Sequence, residues 1–66
     1  MNLPLVSIVI PCRNEESSIA ACLESLLSCG YPHERMEILV VDGMSTDRTP
    51  AVVRDIARQY PSIRLL

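Results

Sequence analysis

Carboxylates, hydroxyls and one arginine crowd two short stretches of this sequence, Pro11-Cys12-Arg13-Asn14-Glu15 and Asp42-Gly43-Met44-Ser45-Thr46-Asp47. Each follows directly on an apolar run, Val6-Ser7-Ile8-Val9-Ile10 in the first case and Ile38-Leu39-Val40-Val41 in the second. Carboxylates at such places suit the donor groups of a nucleotide. Ring N–H groups and ribose hydroxyls need acceptors, and a charged acceptor makes the stronger hydrogen bond. Arg13 could stack its planar guanidinium on a base or offset phosphate charge. Each residue also has a plainer reading: Glu15 can complement a helix dipole, Asn14 can cap a helix, and Ser45 and Asp47 suit a turn and a cap. Asp42 is the hardest to explain that way, because it sits at the end of an apolar run with no cap to make.

Other chemistries lack their residues. No G-x-G-x-x-G follows the first apolar run, and a chain without lysine cannot carry a P-loop. A G-x-S-x-G elbow is also absent. Cys12 lies where a helix N-terminus can stabilise a thiolate, but the single histidine, His33, falls at the far end of the following helix and cannot serve as its base.

The elements that must position these residues follow from periodicity. Residues 5–10 form a nearly continuous apolar run, as expected of a strand buried on both faces, and Pro11 should end it. Ile19, Cys22, Leu23, Leu26 and Leu27 repeat at helical spacing, and Gly30 and Pro32 stop the pattern, so a first helix is expected over 15–29. Residues 36–41 read as a second buried strand. Asp47 is the expected N-cap of a second helix, with Pro50 at its third position and an apolar face of Val52, Val53, Ile56, Ala57 and Tyr60. Pro61 ends that helix, and residues 63–66 begin a third strand. The result is an α/β chain, β-α-β-α-β, with parallel strands and right-handed crossovers. In such sheets ligands bind where strand-end loops face one crevice.

Composition narrows the field further. Sixty-six residues allow at most one small domain, which buries only about 60% of its unfolded surface. Apolar residues at 48% argue against disorder, and with two tyrosines as the only aromatics the core must be aliphatic. A net charge of −2 without a basic stripe disfavours nucleic acid as a partner. No apolar run reaches the length of a membrane span, and the first residues lack the pattern of a signal peptide, so a cytoplasmic location is expected. Three cysteines at 12, 22 and 29 read as core thiols rather than metal ligands.

At the two polar stretches the chain resembles the N-terminal part of a family 2 glycosyltransferase with the GT-A fold. The family's I-P-x-x-N-E is matched by Ile10 to Glu15, and its V-D-D/G-x-S-x-D-x-T by Val41 to Thr49. The resemblance spans nearly the whole chain and implies a Rossmann-like sheet forming the donor-nucleotide half of such an enzyme, a partial domain over 1–66. It implies donor-nucleotide binding by Pro11, Arg13, Glu15 and Asp42, no catalytic residue and no metal ligand in this stretch. The family's D-x-D motif, which holds Mg or Mn on the donor pyrophosphate, and its general base would lie beyond Leu66. Gly43 stands where many members carry a second aspartate, and Arg13 where many carry an aromatic. The parent reaction implied is transfer of a sugar from a nucleotide sugar to a carbohydrate or lipid-linked acceptor, in the cytoplasm or at the inner face of a membrane. Without the missing motifs, the 66 residues are expected to be inactive. A rival reading is a small non-catalytic nucleotide-binding or interaction module; a third treats the loops as turns and caps of an α/β piece without function. The first strand should present an unpaired apolar edge that invites self-association.

Overall fold

The computed structural model describes residues 3–66. Strand β1 (Val6–Cys12), helix α1 (Ile19–Leu27), a single 3-10 turn (His33–Arg35), strand β2 (Met36–Asp42), helix α2 (Thr49–Ala57) and strand β3 (Ile63–Leu65) follow in order. The sheet runs β1-β2-β3 with both pairs parallel. This is the expected β-α-β-α-β arrangement.

Alternate strand residues point into one core. In register across the sheet, Ile8, Ile38 and Ile63 form one row, and Ile10, Val40 and Leu65 form the next. Leu23 of α1 and Val53 of α2 close over these rows without solvent exposure. Removing such side chains from water, at about 25 cal/mol per Å² of apolar surface, supplies the main driving force for this fold.

The strands are covered on one face only, against the expectation of burial on both. Two crossovers of one hand, stepping in one direction, lay both helices on the same side of the sheet. On the other side Val9 is 59% exposed and Val41 38% exposed. The sheet order also leaves β1 at an edge, as expected.

Three further differences have physical causes. Strand β1 runs through Pro11 to Cys12. The Cys12 carbonyl accepts from Gly43 N–H at 2.7 Å, so its neighbour's backbone faces the other way. The missing N–H of Pro11 therefore lies on the free edge, where no ladder bond is lost. Helix α1 starts four residues late, at Ile19, because Asn14 takes a left-handed conformation (φ 52°) and does not cap it. The helix also ends two residues early, at Leu27, and Gly30 turns the chain beyond it with φ 92°. Finally, Cys22 and Cys29 are exposed and only Cys12 is partly buried, so two of the three thiols are not core residues.

Candidate functional site

The loops after β1 and β2 lie side by side because their strands are paired to the last rung, Cys12 against Asp42. One further rung, Gly43 N–H to the Cys12 carbonyl, carries the pairing into the loops. A Cβ on Gly43 would meet that carbonyl oxygen at 3.3 Å and the Arg13 Cβ at 3.6 Å, so a side chain here would crowd the junction.

Beyond the rung, side chains of the second loop take up successive amides of the first. Asn14 N–H donates to Ser45 Oγ at 2.8 Å, Glu15 N–H to Thr49 Oγ1 at 2.8 Å, and Glu16 N–H to Asp47 Oδ2 at 3.3 Å. In return, Asn14 Oδ1 accepts from Thr46 N–H at 2.8 Å. The turn leading into α1 is thus tied to the second loop. These three backbone amides are spent within the fold.

Both accepting hydroxyls are tied to carboxylates. Ser45 Oγ–H donates to Asp42 Oδ1 at 2.5 Å, and Ser45 N–H to Asp42 Oδ2 at 3.0 Å. Thr49 Oγ1–H donates to Asp47 Oδ1 at 2.5 Å, and Thr49 N–H to the same oxygen at 2.9 Å. Bonding to the ionised form holds Asp42 below the usual carboxylate range, chiefly through the Ser45 hydroxyl and then its amide. Asp47 is lowered in the same way, chiefly by the Thr49 hydroxyl. Both stay charged acceptors at neutral pH. The Cys12 thiol moves up instead, first through burial and then through the negative charges of Asp42, Glu15 and Asp47. A thiolate nucleophile is disfavoured there.

The four expected donor-binding residues fall into different settings. Asp42 is half-buried at the end of β2, and contrary to expectation it has a turn to cap, that of Ser45. Arg13 is exposed and makes no ion pair among the described residues. Glu15 accepts from Ser18 Oγ at 2.8 Å, and its carbonyl opens α1 by accepting from Ser18 and Ile19. Pro11 lies on the free edge of β1. Asp47 is not the N-cap expected of it: Arg48 holds that place without a side-chain bond, so Thr49 is the first helical residue and Pro50 the second, and Asp47 accepts from Thr49 N–H from one residue further back. Beside Asp42 a cleft of about 670 Å³ opens between α2 and β3, lined also by Met44, Pro50, Arg54, Arg58 and Leu66. It holds none of Pro11, Arg13 and Glu15. Thr49 closes the matched motif but was given no role in the sequence; its signal was a hydroxyl two residues after Asp47, much as Ser45 stands three residues after Asp42.

A profile of Glycosyl transferase family 2 matches residues 7–66, which takes in both strand-end loops and every element of the sheet. The chain belongs to that family. This family 2 chain is 38% identical over 63 residues to a beta-monoglucosyldiacylglycerol synthase of Synechocystis sp., covering 96% of this chain and 13% of that protein. It is 44% identical over 55 residues to the dolichyl N-acetyl-alpha-D-glucosaminyl phosphate 3-beta-D-2,3-diacetamido-2,3-dideoxy-beta-D-glucuronosyltransferase of Methanococcus voltae, covering 83% of this chain and 17% of that one. Among solved structures it superposes on the mannosyltransferase PcManGT of Pyrobaculum calidifontis, in complex with GDP-Man and Mn2+, with a TM-score of 0.88 and 34% identity. That match covers 98% of this chain and 19% of the mannosyltransferase. The chain thus spans less than a fifth of the length of these relatives, and its sheet has the GT-A arrangement.

Proposed function

We propose that this chain is the donor-nucleotide-binding part of a glycosyltransferase that moves a sugar from a nucleotide sugar to a carbohydrate or lipid-linked acceptor. The observation that carries the reading is the pair of latched loops at the carboxyl ends of β1 and β2, one carrying a charged Asp42 and the other an exposed Arg13. Asp42 accepts from base N–H or ribose hydroxyl groups, and Arg13 stacks on the base or offsets phosphate charge. Pro11 shapes the loop and Glu15 orders its exit into α1. The amides of Asn14, Glu15 and Glu16 are all occupied, so contacts from this loop fall to its side chains.

The diphosphate charge also needs a partner. The mannosyltransferase with bound GDP-Man and Mn2+ supports a divalent ion, Mg or Mn, in the complete protein. The residues described here do not fit that ion: they include no group of three His, Cys, Asp or Glu side chains able to hold one. We place the complete protein in the cytoplasm, at the inner face of a membrane where its acceptor is lipid-linked. Cell fractionation tests that placement, and recovery of the complete protein in an extracellular fraction would end it.

Calorimetry with uridine and guanosine diphosphates tests the central reading. Binding to the 66-residue chain is expected, weakened roughly tenfold by Asp42→Asn, as loss of a charge-assisted hydrogen bond predicts. No heat at millimolar nucleotide would sink the proposal.

A further inference from the structure

Ser45 and Thr49 do more than close their own turns. A hydroxyl has one proton, and in both residues it is given to a carboxylate, Asp42 or Asp47. That donation fixes the rotor and leaves an acceptor lone pair, which receives an amide from 31 or 34 residues away in sequence. The result is two parallel relays: Asn14 amide to Ser45 hydroxyl to Asp42 carboxylate, and Glu15 amide to Thr49 hydroxyl to Asp47 carboxylate.

The Gly43 rung and the Ser45 relay bracket Arg13. On one side the Cys12 carbonyl is held by Gly43, and on the other the Asn14 amide is held by Ser45. Only Arg13 lies between, with its side chain in solvent. Asn14 turns the chain there in a left-handed conformation, which asparagine tolerates better than most residues. Thr49 is fully buried and cannot itself touch a ligand. Ser45 is half-buried, with its hydroxyl proton committed to Asp42.

We propose that Ser45 and Thr49 are positioning residues, which hold the Arg13 loop at a fixed place relative to the Asp42 carboxylate through these hydroxyl relays. The proposal rests on the donor-binding reading of Arg13 and Asp42, but its first readouts do not. Amide hydrogen exchange in Ser45→Ala should accelerate selectively at Asn14, by roughly tenfold, and in Thr49→Val selectively at Glu15. Ser45→Thr and Thr49→Ser, which restore the hydroxyl, should recover protection. Carbon NMR of Asp42 in Ser45→Ala should show its titration moving up toward the ordinary aspartate range, while Asp47 keeps its own. With guanosine diphosphate as probe, affinity should fall roughly tenfold in Ser45→Ala and return in Ser45→Thr.

Unchanged Asn14 exchange together with an unmoved Asp42 titration in Ser45→Ala would overturn the proposal. So would exchange that rises uniformly over the chain, the mark of a merely structural role. Should Thr49→Val fail to fold, Ser45→Ala carries the test from a less buried position. If the unaltered chain binds no nucleoside diphosphate, the donor reading fails, and selective exchange with the Asp42 shift would still establish the relays.

Discussion

The helix-covered core and the strand-end loops of this chain are held by different forces. In the core, Leu23, Ile38, Val40 and Val53 are wholly buried and make no polar contact through their side chains. At the loops, Asn14, Ser45 and Asp47 are partly or fully solvent-exposed, and their placement comes from hydrogen bonds between residues more than thirty positions apart. Apolar burial is non-directional and tolerates small shifts at low cost. Hydroxyl-to-carboxylate bonds fix an orientation to within a few tenths of an ångström. Stability thus resides mainly in one region and the geometry of the candidate site in the other.

That division can be broken most forcefully from the core side. Leu23→Ala should cost about 3 kcal/mol, measured by urea unfolding, a large share of what so small a chain can have. Thr49→Val joins the regions, since its hydroxyl lies at the buried end of a relay. A loss of about 1–3 kcal/mol is expected, with Thr49→Ser retaining most of the stability if the hydroxyl rather than the methyl matters. Acid offers a third approach. Asp42 and Asp47 are lowered from the ordinary value of 3.8 in the folded chain, so their contribution is complete above that value and is lost as pH falls through the lower folded values. The urea midpoint should therefore drop below about pH 4, and less so in Ser45→Ala, which has already lost one of the two couples. Last, Val9→Thr on the uncovered face should change stability by only about 0.5 kcal/mol or less. It should also lower any tendency of the chain to associate, as read by sedimentation at high concentration. A larger stability loss would mean that the open face is packed in solution.

The fold was legible in the sequence because its signals are local. Apolar runs, one helical repeat after each strand and the stops at Gly30 and Pro61 sufficed to give element order and parallel pairing. Boundaries were harder to read where distant partners decided them. Pro11 belongs to β1 only because its nitrogen faces the free edge, and α1 starts late because the Asn14, Glu15 and Glu16 amides bond to the second loop rather than to a helix cap. The placement of both helices on one face was equally invisible, since an apolar run does not say which of its sides is covered. Of the candidate site, Asp42 and the two loops could be found from residue type and position. The committed state of Asp42 and the part played by Thr49 could not, because both depend on which hydroxyl meets which amide across the sheet.

The constant register has a consequence for how the loops come into being. Every rung from Val6–Met36 to Cys12–Asp42 joins residues 30 apart. Loop-closure entropy must be met before any of these rungs forms, so the chain should fold slowly for its size. The Arg13 loop has no shape of its own until that closure is complete. On the ribosome its amides would remain in water until Thr49 had emerged and β2 had docked, and the arrangement around Asp42 would then arise in one cooperative step.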